Sequence, residues 1–438
     1  MSAKPEEHRG SPLTAVVADG DGNIFELPGY GALGMAGDAM APLSSRDTLP
    51  LPYGSELMFL PDRMPVVLDV NSGRLEVLAR NPHDPDQPIF PVAAFNSPGY
   101  VNLHVAAYRE NPKAACLPLF SYGAVGWHRG RFRSAAMRVD REKRQDLRHM
   151  PQEKITAGIR LLRERLPDNR LCRHLETCAL EYGCPAGKNF FLGRFEAPLP
   201  TARICNARCL GCLSLQADGH IPSSQRRIAF TPSAEEIAQV ALLHIRRVRH
   251  PVVSFGQGCE GEPLQAADVI EPAIRIIRAA TRRGTINLNS NASRPETVAR
   301  FFDAGLDSLR VSINSLRPDC YRSYFRPRDY DFEDVMRSIA VARRRTKFVS
   351  INYLNMPGFT DSPQEMAALE RFLDRYGVDM IQWRNLNYDP ARYWAVMNGA
   401  ASHGPPMGID RLLHRIRRRY PDVKHGYFNP PKEKFKPR

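Results

Sequence analysis

Long apolar runs are missing from this chain: no stretch of its 438 residues approaches the roughly 18 apolar residues that a membrane-spanning helix requires. The opening Met-Ser-Ala-Lys-Pro-Glu-Glu-His-Arg has no apolar core of a secretory leader, so a cytoplasmic protein with no membrane partner is expected. No ladder of stacking aromatics and no nucleic-acid module accompanies the net charge of +14. The basic clusters at Arg246–Arg249, Arg343–Lys347, Arg415–Arg419 and Lys432–Arg438 therefore read first as solvated helix faces and a basic tail, with RNA as the rival partner. A disulfide framework is also disfavoured. Nine cysteines in a large chain expected to be cytosolic point to metal or redox chemistry, and seven of them fall between Cys172 and Cys259.

With 43% apolar residues and a length beyond what one core usually supports, the chain is expected to fold into two or three domains. Residues 1–140 alternate short apolar runs (Leu13–Val17, Leu57–Leu60, Val66–Val70) with Gly, Pro, Asn and Asp, and Asp19-Gly20-Asp21-Gly22-Asn23 reads as a hairpin turn. A smaller, mainly β N-terminal domain of unknown role is expected there, followed by a helical, cysteine-bearing connector over 141–198. From 199 to 400, strand-like runs alternate with amphipathic helices. The expected strands are Pro200–Cys205, Val252–Phe255, Thr285–Asn289, Ser308–Ile313, Phe348–Tyr353 and Met380–Trp383. Thr231-Pro232-Ser233-Ala234-Glu235-Glu236 has the capping residue and carboxylates of a helix start. Strands spaced this way imply parallel βα units and an α/β fold, a partial (β/α)6 TIM-like barrel, whose ligand site lies at the carboxyl ends of the strands. Residues 401–438 are expected to form a C-terminal helix and a basic tail.

Cys205, Cys209 and Cys212 form a CxxxCxxC triplet with no fourth cysteine in the same turn. A structural zinc site wants four ligands and an electron-transfer cubane wants four cysteines. The triplet is therefore either half of a zinc site completed from a distance, with His220 one candidate, or the holder of a [4Fe-4S] cluster with one open iron.

The spacing resembles the cluster loop of the radical S-adenosylmethionine (SAM) superfamily, and further segments resemble that family in order along the chain. Gly261-Glu262-Pro263 is similar to its Gly-Gly-Glu-Pro motif, with Glu260 standing where the first glycine would be; an anionic side chain and close backbone suit the amino group of SAM. Asn289-Ser290-Asn291 resembles its Thr-Asn-Gly segment. Arg310, Ser312 and Asn314 share one face of a strand that, in the family, meets the SAM ribose and carboxylate. Met356-Pro357-Gly358 is similar to the loop that lies against adenine, and Gln382 and Arg384 sit at the end of the sixth strand. Each has a structural rival: a turn for Asn291 and Gly358, a buried structural arginine for Arg310, and barrel-capping hydrogen bonds for Gln382 and Arg384. Cys172, Cys178, Cys184 and Cys259 supply the four thiolates of an auxiliary iron–sulfur cluster, or are buried thiols acting as small hydrophobes.

The resemblance implies an enzyme that binds a [4Fe-4S] cluster and SAM, takes an electron from a reductant such as flavodoxin or ferredoxin, and cleaves SAM to a 5'-deoxyadenosyl radical. That radical abstracts hydrogen from a substrate, with peptide, protein or RNA modification as the candidates. The alternative is a non-catalytic zinc- or nucleic-acid-binding protein using the same cysteines.

Overall fold

The computed structural model describes residues 11–216, 219 and 221–436, so the leader reading over the first nine residues, the last two residues of the basic tail and the candidate ligand His220 lie outside it. The chain forms two compact units. The first comprises the chain up to Val139, Asn355–Ala367 and Asn385–Arg419; the second comprises Asp140–Leu354, Ala368–Arg384 and the chain from Tyr420 on.

The first unit is built on antiparallel sheet. Thr14–Ala18 pairs with Ile24–Gly31, Val17 opposite Phe25 and Ala18 opposite Ile24. The turn between them closes because the Asp19 carboxylate accepts the Asp21 and Asn23 N–H groups at 3.0 and 2.9 Å, an Asx turn. Both faces of Thr14–Ala18 are covered. Ala15 and Val17 pack with Leu27, Val67 and Ile89, whereas Val16 and Ala18 pack with Val92, Ala94 and Val125, which is why the strand reads as a continuous apolar run. The helix Ile409–Arg419 buries Ile409, Leu412, Leu413 and Ile416 at helical spacing, and its arginines take the remaining face.

The second unit carries a parallel sheet of seven strands in sequence order: β1 (Glu196–Pro198), β2 (Val252–Phe255), β3 (Thr285–Ser290), β4 (Ser308–Ile313), β5 (Phe348–Asn355), β6 (Met380–Asn385) and β7 (Lys424–Gly426). This is the half-barrel architecture expected from the alternating strands and helices, with two corrections. The first strand lies earlier than Pro200–Cys205, because Pro200 donates no hydrogen bond and the N–H groups of Thr201 and Ala202 go to the Glu260 carboxylate instead of a neighbouring strand. A seventh strand is added by residues expected to be tail: Met380 pairs with Lys424 and Gln382 with Gly426.

Three helices precede the sheet: α1 (Gln152–Arg165), α2 (Arg170–Leu180) and α3 (Pro185–Phe191). Asn169 caps α2 by accepting the Cys172 N–H at 2.8 Å. Between β1 and β2, α4 (Ala234–Arg247) starts within the segment expected to open a helix, and does so with a capping box, Ser233 and Glu236 each accepting the other's N–H.

α4 buries His244 completely, its Nε2 facing the Phe195 carbonyl at 3.2 Å. Burial lowers its pKa to about 4, against an ordinary value of 6.5. The folded state thus favours the neutral ring, a contribution of about 3 kcal/mol that is fully present above pH 6.5 and is lost as the pH falls towards 4. His244→Leu should remove this dependence. Denaturant unfolding of the second unit across that window is expected to show about one fewer proton taken up on unfolding than in the wild type, and identical pH profiles would refute the assignment.

Candidate active site at the mouth of the parallel sheet

After β1 the chain does not pair as a strand; it is tied down by side chains and by the loop that follows β2. The Glu260 carboxylate, buried, accepts four N–H groups: Thr201 and Ala202 at 2.8 and 2.9 Å on one oxygen, Gly256 and Gln257 at 2.8 and 2.7 Å on the other. Burial pushes its pKa up to about 7 while the four donors oppose. The residue standing at the family's first glycine is therefore a brace between two backbone segments, and its carboxylate is committed to them.

The same two segments zip together beyond it. Gly261 N–H donates to the Ala202 carbonyl at 2.7 Å and Glu262 N–H to the Ile204 carbonyl at 2.9 Å. Gly261 lies so close that a Cβ there would stand 2.0 Å from the Ile204 oxygen, which only glycine allows. Glu262 is likewise buried. It caps the following turn through Leu264 N–H at 3.1 Å, accepts the Ser290 hydroxyl at 2.5 Å and accepts the Asn291 N–H at 2.8 Å, while burial raises its pKa to about 7. Pro263 follows as the first residue of that turn, a position with no use for an N–H. Asn291 then reaches the cluster loop, donating from its side chain to Asn206 Oδ1 at 2.9 Å. The turn after β3 is thus joined both to Glu262 and to the residue beside Cys205.

The cysteine loop is held from its other side by backbone: Arg208 N–H donates to the Phe325 carbonyl at 2.9 Å and Leu210 N–H to the Tyr324 carbonyl at 3.0 Å. Cys205, Cys209 and Cys212 are unbridged and partly exposed. Desolvation pushes Cys205 up to about 12 and Cys209 well above its ordinary value, the neighbouring Cys205 and Cys212 adding to the latter. Thiols raised in this way at Cys205 and Cys209 call for cationic charge. Among the described residues, His174, Cys178 and Cys259 form the only group of three or more potential ligand residues whose donor atoms all lie within 4.8 Å of one another. The CxxxCxxC thiols are more widely spread, as befits a cluster in which each thiolate binds a different iron. The donor set fits a [4Fe-4S] cluster better than a single ion. Arg227, which the sequence did not single out, donates to Ser214 Oγ at 3.1 Å and lies 3.7 Å from Cys212 Sγ.

Inside the sheet a polar network takes in several of the expected residues. Arg310 on β4 donates to Gln382 Oε1 on β6 at 3.1 Å, and Gln382 Nε2 donates to Asn429 Oδ1 at 2.9 Å. Burial, then the nearby Arg384, lowers the Arg310 pKa to about 9. Arg384 donates to the Tyr427 carbonyl at 2.5 Å, its guanidinium 3.6 Å from the Tyr427 ring centre. Ser312 stands two residues along β4, opposite Asn352, and Asn314 at the strand's end donates to the Cys320 carbonyl at 3.2 Å. Glu196 on β1 accepts the Ser254 hydroxyl and Asn429 Nδ2. Glu196, Asn429 and Tyr427 were not anticipated: Glu196 fell in the expected connector over 141–198, and the others lay in the presumed tail.

Gly358 belongs to the first unit. There its N–H donates to Asp361 Oδ1 at 2.7 Å, its φ is +94°, and a Cβ would meet the Gly37 nitrogen at 2.0 Å. The remaining cysteines divide. Cys178 lies 3.6 Å from His174 Nε2 and hydrogen-bonds with Cys259. That bond lowers the Cys178 thiol below its ordinary value, His174 adding to it and burial opposing. Cys172, six residues before Cys178 on α2, points to a different helix face, beside Glu176 and Arg163, and its burial pushes it up to about 12.

Residues 199–369 match the Radical SAM superfamily, and the chain carries a radical SAM domain. Two relatives are named GTP 3',8-cyclase. The protein from Pseudomonas entomophila (strain L48) is 31% identical over 177 residues, covering 39% of this chain and 48% of the relative. The one from Lactiplantibacillus plantarum is 27% identical over 159 residues, covering 36% and 44%. The chain thus spans less than half the length of these relatives. Among solved structures, Streptococcus suis SuiB bound to precursor peptide SuiA aligns with a TM-score of 0.37 at 14% identity over 59% of this chain and 53% of that one. No helix among the described residues is long and apolar enough to cross a membrane.

Proposed function

We propose that the protein is a cytoplasmic radical SAM enzyme in which Cys205, Cys209 and Cys212 hold a [4Fe-4S] cluster and the ends of β2, β3, β4 and β6 receive SAM. The observation that carries this reading is the backbone zipper Ala202–Ile204 against Gly261–Glu262, which locks the segment entering the cysteine loop to the Gly-Glu-Pro turn. When bound, the reduced cluster supplies the electron that cleaves the sulfonium C–S bond, and a flavodoxin- or ferredoxin-type reductant is its source. Each neighbouring residue has a simpler task. Gly261 lets the turn approach the loop, Pro263 rigidifies it, and Glu262 provides buried negative charge for an ammonium. Asn291 fixes the loop through Asn206. Arg310 and Arg384, two guanidiniums converging on Gln382, favour an anion such as the SAM carboxylate, with Ser312 and Asn314 beside them for hydroxyls. The buried walls exclude water from a reactive intermediate.

The substrate follows from none of these groups. Peptide, protein and RNA are the candidate classes. The basic clusters favour RNA less than their number suggests, since Arg343 pairs with Asp379, Arg345 with Asp303, Lys434 with Glu142 and Lys436 with Asp422.

Anaerobic reconstitution tests the reading. The wild type should take up about four irons in the SAM-binding cluster and form 5'-deoxyadenosine with dithionite and SAM. Cys209→Ala should lose nearly all of both, because two thiolates cannot hold three irons. Absence of 5'-deoxyadenosine in the wild type, together with no SAM-induced change in the reduced EPR signal, would defeat it.

A further inference from the structure

A second cluster of ligand-type side chains lies outside the site just described. His174 and Cys178 are one helical turn apart on α2 and therefore share a face; Cys259 comes from the loop after β2, immediately before the Glu260 brace. Their donor atoms all lie within 4.8 Å of one another, and His174 Nε2 is 3.6 Å from Cys178 Sγ. A tetrahedral zinc ion with Zn–S near 2.3 Å and Zn–N near 2.05 Å has N···S edges of about 3.6 Å and S···S edges of about 3.8 Å. An iron–sulfur cluster, with its own inorganic core between the ligands, needs them farther apart. Cys184, the residue preceding α3, completes the set: its N–H donates to the Cys178 carbonyl at 2.9 Å, which brings it to the same helix end, and its charge would be felt by both Cys178 and Cys259. Its sulfur stands outside the 4.8 Å group.

We propose that His174, Cys178, Cys184 and Cys259 bind a single tetrahedral zinc ion that staples α2 and the start of α3 to the loop after β2. The assignment replaces Cys172 of the expected four-thiolate set with His174, as the helical spacing requires. The staple has a definite job. Cys259 is held on its other side by Ile228 N–H, which donates to its carbonyl at 2.8 Å, and it is followed directly by Glu260, whose carboxylate positions four backbone groups of the two segments that meet at the cysteine loop. Zinc on Cys259 thus anchors that brace without taking part in electron transfer, since the ion has no accessible redox change.

The test uses the full chain purified anaerobically, with metal analysis as the readout. Cys205→Ala/Cys209→Ala/Cys212→Ala lacks the other metal-binding thiols, so its metal content is blind to whether the SAM chemistry is correctly assigned. It should retain about one zinc per chain and no iron, and cobalt(II) in place of zinc should give the intense visible bands of a tetrahedral thiolate complex. Adding Cys178→Ser and Cys259→Ser should lower zinc at least tenfold, and adding Cys172→Ala instead should leave it unchanged. Iron with sulfide in the triple variant, or zinc indifferent to Cys178 and Cys259, would overturn the proposal. Should the variants fail to fold, the wild type decides: it must carry zinc in addition to iron, and iron alone refutes the site.

Discussion

Gly261→Ala is expected to abolish iron incorporation and SAM cleavage while leaving the first unit folded. The added Cβ would stand 2.0 Å from the Ile204 oxygen and 2.5 Å from its carbonyl carbon, against an ordinary contact of about 3.5 Å. Both neighbours are backbone, so no side chain can swing away. The two segments must part by more than about 1 Å, which takes the Gly261–Ala202 and Glu262–Ile204 hydrogen bonds, now 2.7 and 2.9 Å, beyond bonding range. Overpacking and two lost buried bonds together cost about 3–5 kcal/mol locally. The strain falls on the residue before Cys205 and on Glu262, so the geometry of the proposed cluster ligands and the proposed acceptor for an ammonium are lost together. Gly399→Ala is the control: nothing lies within 4 Å of its Cβ position in the helix Pro390–Ala400, and alanine there should stabilise by about 0.5–1 kcal/mol. Iron content and 5'-deoxyadenosine yield near wild type in Gly261→Ala would show that the zipper does not position the cysteine loop.

The contrast between Glu260 and Glu262 marks what a sequence can convey about such a site. Motif order and strand spacing were legible: Val252–Phe255 forms as read, because a parallel strand buried on both faces leaves a nearly continuous apolar run, and Ser308–Ile313 forms as read because Leu309, Val311 and Ile313 alternate with Ser308, Arg310 and Ser312. What a carboxylate bonds to was not. Glu260 and Glu262 are chemically alike and two residues apart, yet one is saturated by four backbone donors and the other faces the turn after β3. The misplaced first strand has the same origin, since Pro200–Cys205 looks extended and only the distant carboxylate explains why it does not pair. His174 escaped notice because a lone histidine carries no motif; its helical offset from Cys178 was the available signal, and the same offset, not used for Cys172, sets that cysteine on another face. Asn429 and Tyr427 were hidden by their basic surroundings. The chain from Lys424 to Lys434 returns to the sheet through strand pairing and through Lys432 N–H donating to Thr285 Oγ1, which no local pattern announces.

The largest loss of stability is expected far along the chain from the cysteines, in the first unit, from Asp389→Ala. Arg63 and Asp389 are both buried, with side chains 1% and 0% exposed, and their ion pair is 2.9 Å long. Asp389 also accepts Leu117 N–H at 3.0 Å and caps the helix Pro390–Ala400 through Ala391 N–H at 3.0 Å. Removing its carboxylate therefore takes from a buried guanidinium its one fully buried counter-charge, leaves a buried N–H without its acceptor and uncaps a helix. Arg63 keeps Glu110 at 2.7 Å, but that partner is a quarter exposed and its charge is correspondingly screened. Breaking a buried pair from one side costs about 3–5 kcal/mol and losing a cap about 1 kcal/mol more, which for a unit of this size lowers the melting transition on the order of 10 °C. Arg63→Met combined with Asp389→Leu removes both charges and should recover more than half of that loss, because two hydrophobes need no partner. A double-mutant cycle by calorimetry reads the coupling directly. If Asp389→Ala shifts the transition by less than about 2 °C, roughly 1 kcal/mol or less, the pair does not hold the first unit together.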